Sequence, residues 1–457
     1  MDYEEDGEPI AVSVRLDVEV RAKQDCSVPL SMIGSAVTSY LGLSKRDLRP
    51  GLMLEGWQKE QKTGPLSEVE KIRLGESSES HEGRRGCSCA HHNSKIAPRR
   101  RRISNGEEVE FVVHVYQAAA RDDIDELSAA DPEAGDVSGS DVMAATVMEL
   151  PNMELEGVWE SLIYEGDIKT RLLNYIYTTL VFSDADIDFN IVSWNRLVLL
   201  HGPPGTGKTS LCRALAQKLA IRLSNKFTHG KLIEVNSHSL FSKWFSESGK
   251  LVQRLFSMVT EMVEDEDGFV VILIDEVESL TKARSSAGSG SEPSDSLRVV
   301  NALLTQLDKL KQRKNCLVMT TSNISDSIDD AFIDRADIKQ YIGPPPAEAI
   351  YSVLFSCVEE LMRVGLVQQL DISDAADAAE RHANGSQDAI TRTLWHLAES
   401  CVGISGRTLR KLPVMAHARY LDVGAKTTPD RWARAMSLAL RDVKDEMRSA
   451  QQGAKTL

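Results

Sequence analysis

The chain has 457 residues, of which 42% are hydrophobic and 26% are charged, a composition that excludes wholesale disorder and fibrous repeats. A total of 53 Lys and Arg against 68 Asp and Glu leaves a net charge of −15, which argues against broad non-specific nucleic-acid binding. The longest strongly apolar run, Phe269 to Ile274, is far shorter than the roughly 20 residues of a membrane span. The acidic N-terminus has no apolar core of a secretory signal, and seven scattered cysteines are an odd number, so we expect a protein that is not secreted and keeps its thiols reduced.

Residues 1–117 are expected to form a small α+β domain. From Ile10 to Val20 apolar residues alternate with polar ones, which is the pattern of a strand with one buried face. A second alternation at 109–115 could pair with this strand, and 30–43 has helical character between them. The spacing therefore predicts a sheet and a helix that share one core.

Two charged stretches interrupt and follow this domain. Residues 84–104 contain Lys and Arg but no Asp or Glu, and residues 122–141 contain Asp and Glu but no base. Neither composition favours burial, so 84–104 is interpreted as a solvated basic insert and 118–148 as an acidic linker that acts as a hinge.

The basic insert holds two further patterns. Cys87, Cys89, His91 and His92 could bind zinc, but their spacing is more compact than that of the usual structural zinc sites, so an incidental cluster is favoured. The run Pro98–Arg102 is equally consistent with a nuclear-import patch and with a solvated run of charge.

After the acidic segment the chain alternates between apolar strands and helical stretches, which predicts a parallel sheet with helices on both faces at 149–345. After three consecutive prolines the pattern becomes helical, which predicts a separate helical lid at 346–457. The predicted strands are 197–201, 270–274 and 317–321, and the predicted helices are 210–222, 350–364, 389–401 and 432–447.

Residues 202–209 fit the phosphate-binding pattern G-x-x-x-x-G-K-[ST], with a strand before it and a helix after it as that pattern requires. Glycines let backbone N–H groups turn toward the phosphates, and the helix N-terminus adds a positive end. Lys208 would reach the β- and γ-phosphates, and the Thr209 hydroxyl would bind Mg²⁺. A chance glycine-rich turn is the less favoured alternative. The predicted phosphate-binding residues are Gly202, Pro203, Pro204, Gly205, Thr206, Gly207, Lys208, Thr209 and Ser210.

Polar side chains end two of the predicted strands. Asp275 and Glu276 follow 270–274, at the sheet edge where the phosphate loop also ends. Asp275 would hold the metal and Glu276 would polarise the attacking water, unless the pair is only a surface cap of the strand. Asn323, after 317–321, could orient that water, although Asn in this place is more often part of a turn.

The phosphate loop, the Asp-Glu strand end and the Thr-Thr-Ser-Asn strand end, in this order, resemble an AAA+ ATPase module. Longer strings are similar to the pachytene checkpoint protein 2 family, also called the thyroid receptor-interacting protein 13 family, over about residues 150–445. The resemblance implies an α/β AAA+ phosphate-loop module with a helical lid, preceded by a small α+β domain. The strings that carry it are Ser237–Lys250, Glu292–Asp295, Asp334–Pro345 and Ser405–Pro413.

The resemblance implies a hexameric ATPase that uses ATP and Mg²⁺ to convert HORMA-domain proteins from a closed to an open conformer. It would serve checkpoint silencing and control of the meiotic chromosome axis, in the nucleus at chromosomes and in the cytoplasm. Its partners would be HORMA-domain proteins, which the N-terminal domain would recognise directly or through an adaptor. It would bind neither a membrane nor a specific nucleic-acid sequence. The alternatives are another AAA+ unfoldase and an ATP-gated scaffold without productive turnover.

The resemblance also assigns a pore loop. Trp244 and Phe245, with Ser246 and Glu247 beside them, would grip an extended substrate chain. An aromatic pair close to Gly249 suits this role because it offers sequence-tolerant contact area on a mobile loop. Core packing of the two aromatic residues is the alternative.

The remaining assigned residues concern the nucleotide. Arg407, preceded by Gly406 in the lid, would contact the γ-phosphate of its own subunit. Arg335 would be the finger donated to a neighbouring subunit, and Lys339 stands where many AAA+ relatives have a second arginine. The predicted adenine contacts are Leu162 and Ile163.

Overall fold

The computed structural model describes residues 14–43, 51–54, 57, 64–79, 109–120, 124–128, 143–164, 166–185, 187–188, 191–236, 248–278, 293–323, 330–386, 388–422 and 424–454. Its strands are β1 (Val14–Ala22), β2 (Val69–Glu79), β3 (Val109–Tyr116), β4 (Ile124–Ser128), β5 (Met143–Leu150), β6 (Leu197–His201), β7 (His229–Asn236), β8 (Gly268–Asp275), β9 (Cys316–Ser322) and β10 (Ile338–Tyr341). Its α-helices are α1 (Leu30–Leu43), α2 (Val158–Ser161), α3 (Ile168–Asp184), α4 (Lys208–Arg222), α5 (Ser248–Glu264), α6 (Pro293–Leu310), α7 (Asp330–Arg335), α8 (Ala347–Arg363), α9 (Ala375–Ala383), α10 (Ala389–Ser400), α11 (Gly406–Tyr420) and α12 (Pro429–Ala454). Among these helices, none has the length and apolar character that a bilayer span requires.

The N-terminal domain is a three-stranded sheet in the order β2-β1-β3, with α1 packed on one face. Strands β1 and β3 pair in parallel, which confirms the predicted pairing of the two alternating segments. Strand β2, which the sequence pattern did not predict, pairs antiparallel with β1 on its other side. The buried face of β1 and the facing side of α1 consist of Leu16, Val18, Val20, Ile33, Val37 and Leu41.

The large sheet has seven strands in the order β10-β6-β9-β8-β7-β5-β4. The five strands from β10 to β7 are parallel, and β5 and β4 are antiparallel additions at one edge. Strands β8 and β9 are almost entirely buried because helices cover both faces, one core involving α3 and α4 and the other α5, α6 and α7. The predicted α/β fold class with a helical lid is confirmed.

The prediction that 118–148 is only an acidic linker is wrong. Residues 124–128 and 143–150 form β4 and β5, and β5 pairs with β7, so this part of the chain extends the large sheet. The buried side chains of Ala145 and Val147 explain the difference. The acidic residues lie in the first part of the segment, whereas the apolar residues that are buried in β5 follow them.

The lid is built from helices α8 to α12 around one apolar core. Trp432 and Tyr351 are its largest fully buried side chains, and the Tyr351 hydroxyl donates to the carbonyl oxygen of Ser373 at 2.8 Å. The three predicted helical stretches correspond to α8, α10 and α12, and α9 and α11 complete the bundle.

The N-terminal domain packs against helix α4 through charged side chains. Alternation along β1 places Asp17 and Glu19 on the face opposite its apolar residues. Lys218 Nζ lies 2.5 Å from Glu19 Oε1, with the two side chains only 3% and 4% exposed. Arg222 lies 3.4 Å from Asp17 Oδ2, and His114 Nε2 lies 3.1 Å from Asp17 Oδ1. The contact between the two domains is therefore an ionic network in a largely buried setting.

A second layer of ion pairs surrounds this network. Glu156 pairs with Arg21 and, at 2.8 Å, with Lys71, while Glu160 pairs with Arg73 at 2.9 Å. Since buried charge is costly unless it is paired, these contacts help to hold the N-terminal domain against α4 and against the segment that contains Glu156 and Glu160. Any hinge motion of this domain must first separate them.

The pKa of Asp17 reflects its position in the network. Burial by itself raises this pKa. The hydrogen bond from His114 and the charge of Arg222 lower it by more than burial raises it, so the pKa of Asp17 lies below its ordinary value of 3.8. A carboxyl whose pKa is lower in the folded state stabilises that state above its unfolded pKa. The contribution of Asp17 is therefore present at neutral pH and is lost as the pH falls below about 4.

We expect reversal of the charge at Lys218 to destabilise the docked domain. Lys218→Glu would bury two carboxylates side by side, and breaking a buried pair costs about 3–5 kcal/mol. Glu19→Lys should be similarly harmful, because it would add a third cation beside Lys218 and Arg222. Exchanging the two charges in one variant should recover most of the loss. Thermal unfolding and hydrogen exchange at β1 amides would measure these effects.

Arg419→Ala is a suitable control, since it removes an ion pair with Asp442 in which the arginine side chain is 46% exposed. It should change stability little, because solvent screens such pairs. If Lys218→Glu were as mild as this control, or the exchange recovered nothing, the buried pair would not be what holds the domain.

Candidate active site

The phosphate loop, residues 202–209, connects strand β6 to helix α4. Gly207, immediately before the helix, has a φ of 91°, a left-handed conformation that favours glycine. A Cβ at this position would lie 3.1 Å from Tyr164 Oη and 3.2 Å from Leu162 Cδ2. The Tyr164 hydroxyl also donates to the Gly207 carbonyl oxygen at 3.3 Å. The segment before α3 thus supports the loop from the side.

Lys208 is only 5% exposed, and its ammonium group lies among acceptors. Nζ donates to the carbonyl oxygens of Gly202 and Pro203, both at 2.8 Å, and to Asn323 Oδ1 at 2.9 Å. Burial lowers the pKa of Lys208, and the nearby acidic side chains oppose that shift. The lysine is therefore directed toward the inside of the loop, where phosphate oxygens would be its acceptors.

The other polar residues of the loop are more accessible. The Thr206 hydroxyl donates to the Pro203 carbonyl oxygen at 3.0 Å, which closes the loop on itself. Pro204 is exposed at the tip, and Ser210 is exposed in the first turn of α4.

Asp275 ends strand β8 next to the first turn of α4. Its Oδ1 atom accepts a hydrogen bond from Thr209 Oγ1 at 3.0 Å and another from Thr321 Oγ1. The parallel strands β6, β9 and β8 are neighbours, so their carboxyl ends bring these groups together. A hydroxyl and a carboxylate in this arrangement are hard oxygen ligands, and they fit a magnesium ion beside the loop.

Glu276 and Asn323 form the opposite side of the same site. Glu276 has a φ of 55°, which is rare for a residue with a side chain and costs about 1–3 kcal/mol. Asn323 Nδ2 donates to Glu276 Oε1 at 3.2 Å, and the Asn323 backbone N–H donates to Glu278 Oε1 at 3.0 Å. Asn323 therefore bridges Lys208 and Glu276 in one chain of hydrogen bonds.

The lid contacts the phosphate loop through the start of helix α11. The Gly406 backbone N–H donates to the Gly205 carbonyl oxygen at 3.0 Å. Ser405 caps the helix by accepting from Thr408 N, and a Cβ at Gly205 would lie 2.8 Å from Ser405 Cβ and 3.7 Å from Arg407 Cβ. The exposed Arg407 is therefore placed beside the loop, at the positive end of a helix.

Comparison with known proteins identifies the family. The model of the ATPase family associated with various cellular activities (AAA) matches residues 198–344, and that of the TRIP13-like AAA+ ATPase lid C-terminal domain matches residues 346–444. The chain is 52% identical over 295 residues to the pachytene checkpoint protein 2 homologs of Sus scrofa and Homo sapiens, covering 64% of this chain and 68% of each relative. The chain belongs to the pachytene checkpoint protein 2 family.

A solved structure agrees with this assignment. The structure of C. elegans PCH-2 is similar with a TM-score of 0.72 and 30% sequence identity, over 94% of this chain and 99% of that chain. Membership of the pachytene checkpoint protein 2 family confirms that the chain is an AAA+ ATPase that binds nucleotide.

In this family member, the predicted adenine contacts lie where the loop meets the segment after α2. Leu162 is half-buried with its Cδ2 atom next to Gly207, and Ile163 is half-buried beside it. Leu162 therefore flanks the start of α4. The contact of both residues with adenine stays a prediction.

The two candidates for a contribution to a neighbouring subunit lie on different elements. Arg335, at the end of α7, forms a two-pronged ion pair with Asp308 of α6, with both distances 3.0 Å, and this pairing raises its pKa. Lys339 is exposed on the edge strand β10. Asp308 thus holds the Arg335 guanidinium in one orientation, with 30% of the side chain exposed.

The predicted pore-loop residues Trp244, Phe245, Ser246 and Glu247 lie outside the described residues. The chain enters this segment from the end of β7, where Asn236 pairs with Asp275, and leaves it at Ser248, where α5 begins. The last described residue before this segment, Asn236, therefore lies at the same sheet edge as Asp275.

Two residues of the site were given no role by the sequence analysis, namely Glu278 and Thr321. Thr321 belongs to the Thr-Thr-Ser-Asn strand end that was singled out, but nothing local distinguishes it from Thr320. Glu278 belongs to no motif in the sequence, and only its contact with the Asn323 backbone N–H shows its place in the site.

We expect Gly205→Ala to weaken nucleotide binding by roughly tenfold or more, equivalent to about 1.4 kcal/mol. The new methyl group would collide with Ser405 and force the lid away from the loop, while a φ of 75° adds backbone strain. Titration with a fluorescent ATP analogue would measure the affinity.

Gly403→Ala is the matched control, since Gly403 has a φ of 90° in the lid but open space around its Cβ position. It imposes a similar strain without the collision. Adding Ser405→Gly to Gly205→Ala should restore part of the affinity. Equal losses in the two alanine variants would mean that strain, and not lid contact, is responsible.

Proposed function

We propose that this chain is a hexameric, ATP-driven remodeller that partly unfolds HORMA-domain proteins and converts their closed conformers to open ones. The family and its ATPase activity support the proposal. The name of the relatives, which refers to a pachytene checkpoint, is in keeping with a role in checkpoint silencing and meiotic chromosome-axis control. The alternatives are a general unfoldase and an ATP-gated scaffold, which the experiments below separate.

One observation carries the proposal. A connected hydrolytic arrangement of Lys208, Asn323 and Glu276, with Asp275 alongside, lies at the sheet edge from which the chain leaves β7 toward Trp244. The end of β7, from which the chain continues toward the proposed substrate-binding segment, is paired with Asp275 at the proposed site of hydrolysis. A scaffold without turnover would have no need of the strained backbone at Glu276.

Each side chain of the site has a task in hydrolysis. Lys208 would bind the β- and γ-phosphates, and Thr209 and Asp275 would hold Mg²⁺, which neutralises phosphate charge when bound. Glu276 would polarise the attacking water, with its carboxylate oriented by Asn323. Arg407 would contact the γ-phosphate from the lid.

A ring would complete each site with a residue from its neighbour. Arg335 is the favoured donor, because its ion pair with Asp308 pre-orients the guanidinium before it meets a phosphate. Lys339 is a second candidate for this role. The borrowed charge is the reason to propose a ring rather than a single working subunit, and the resemblance to the family is the reason to propose six subunits.

Substrate handling would involve two parts of the chain. The N-terminal domain would recognise a HORMA-domain protein, directly or through an adaptor, while Trp244 and Phe245 would pull on an extended segment. Local opening of a substrate requires less than the roughly 5–15 kcal/mol of global unfolding, so partial unfolding is a reasonable product. We propose that the protein works at chromosomes in the nucleus and in the cytoplasm.

Glu276→Gln is expected to bind ATP and to reduce hydrolysis by at least about 100-fold, because the amide no longer polarises water. Phosphate release at saturating ATP measures the rate, and nucleotide binding verifies an intact site. Glu264→Gln, on the exposed side of α5, is the matched control and should hydrolyse at the wild-type rate. Wild-type turnover by Glu276→Gln would remove Glu276 from its role.

Trp244→Ala should keep ATPase activity but lose remodelling, since it removes the contact surface and leaves the phosphate site untouched. The assay incubates the full chain with ATP and a closed HORMA-domain protein and follows the conformer ratio. Trp244→Phe should keep most of the conversion because it preserves an aromatic ring.

The outcomes separate the proposed function from its alternatives. Loss of ATPase and remodelling together in Trp244→Ala would favour the core-packing interpretation of this residue. Equal processing of an unrelated folded protein would indicate a general unfoldase. ATP turnover without any change in conformer ratio would leave HORMA remodelling unsupported.

A further inference from the structure

Thr321 is a buried threonine at the end of β9 that contacts three consecutive residues of the hydrolytic turn. Its hydroxyl donates to Asp275 Oδ1 and accepts from the Glu276 backbone N–H at 3.2 Å. Its carbonyl oxygen accepts from the Val277 backbone N–H at 2.9 Å. With 1% of its surface exposed, Thr321 makes these contacts away from solvent.

The direction of the hydroxyl proton is determined by its two neighbours. A backbone N–H can only donate, so the Thr321 hydroxyl must accept at Glu276 and direct its own proton toward Asp275. An ionised carboxylate can only accept, which makes Asp275 in its charged form the matching partner. The branched threonine side chain has few rotamers, so the hydroxyl is held in this direction.

The same hydroxyl acts on the unusual backbone of Glu276. A residue with a side chain persists at a φ of 55° only when its surroundings determine that conformation. The contact at the Glu276 N–H and the contact at the Val277 N–H bracket this residue on both sides. Thr321 therefore fixes the direction in which the Glu276 carboxylate leaves the strand end, toward Asn323.

We propose that Thr321 is a positioning residue for ATP hydrolysis, whose single hydroxyl orients the Asp275 carboxylate for Mg²⁺ and holds the backbone turn that presents Glu276 to water. The inference rests on the roles proposed above for Asp275 and Glu276. Thr321 acts through these two residues and is not itself placed on the nucleotide.

The neighbouring Thr320 provides a matched control within the same strand. It is also buried, at 0% exposure, but its hydroxyl faces the other side of β9 and donates to the Val198 carbonyl oxygen at 3.2 Å. Threonine-to-valine substitution at either position removes one hydroxyl at nearly constant volume. Comparing the two valine variants therefore distinguishes the effect of losing any buried hydroxyl from the effect of losing the contacts with Asp275 and Glu276.

The experiment compares Thr321→Val, Thr321→Ser and Thr320→Val in the full chain. We expect Thr321→Val to lower kcat by about 10- to 100-fold, as is common when a residue that orients a metal ligand is lost. Thr321→Ser should stay close to the wild-type rate because it keeps the hydroxyl, and Thr320→Val should keep most of its activity. KM for ATP should change far less than kcat.

A binding measurement gives a readout besides turnover. A fluorescent ATP analogue is titrated into each variant with and without Mg²⁺. Thr321→Val should bind the analogue normally without the metal and lose most of the affinity that Mg²⁺ adds, whereas Thr320→Val should retain that gain. Thermal unfolding of each variant verifies folding, and Thr321→Ala replaces the valine variant if the latter fails to fold.

Two results would overturn the proposal. One is a Thr321→Val variant whose kcat and magnesium dependence match those of Thr320→Val. The other is a Thr321→Ser variant as impaired as Thr321→Val. Glu276→Gln assayed in parallel distinguishes a failure of this proposal from a failure of the proposed function. Normal turnover in Glu276→Gln would refute the proposed function itself. An inactive Glu276→Gln together with an unaffected Thr321→Val would refute only the role of Thr321.

Discussion

Helix α4 is the element on which the rest of the structure depends. Lys208 and Thr209 stand in its first turn at the phosphate site, and Lys218 and Arg222 stand near its other end in the ionic network with the N-terminal domain. Its 15 residues span about 22 Å as one hydrogen-bonded unit. Separating the buried pair of Lys218 and Glu19 would leave a charge without its partner, which is costly. The N-terminal domain and the phosphate loop are therefore both held by α4.

The carboxyl edge of the large sheet is the second organising feature. Parallel strands β6, β8 and β9 are apolar along their length because both faces are covered, and each becomes polar where it ends. This contrast concentrates Lys208, Asp275 and Asn323 at one edge. The strained backbone of Glu276 is tolerated there because the buried strand beside it supplies fixed hydrogen-bond partners.

The parts of the site that lie close together in the chain could be predicted from the sequence. The phosphate loop is continuous from Gly202 to Thr209, and its chemistry is encoded in residue types at fixed spacing. Asp275 and Asn323 could be placed with it because parallel strands end at one edge of a sheet. The choice between Thr320 and Thr321 could not be made, since it depends on which of the two hydroxyls reaches Asp275 when the ends of β8 and β9 lie side by side. The strand β5 was not predicted, because the acidic residues before it dominated the composition of the segment.

By itself, the sequence determined the fold class, the phosphate loop and the acidic strand end, because these follow from periodicity and from motifs within short windows. The family was indicated by the resemblance of longer strings. Only the tertiary structure decided that Glu19 pairs with Lys218 and that Asp17 pairs with Arg222, residues that lie about two hundred positions apart. Along the chain, the charges of β1 and those at the end of α4 look like ordinary solvent-facing positions. Their partnership arises when a sheet face and a helix end pack together, since burial turns separate surface charges into one paired network.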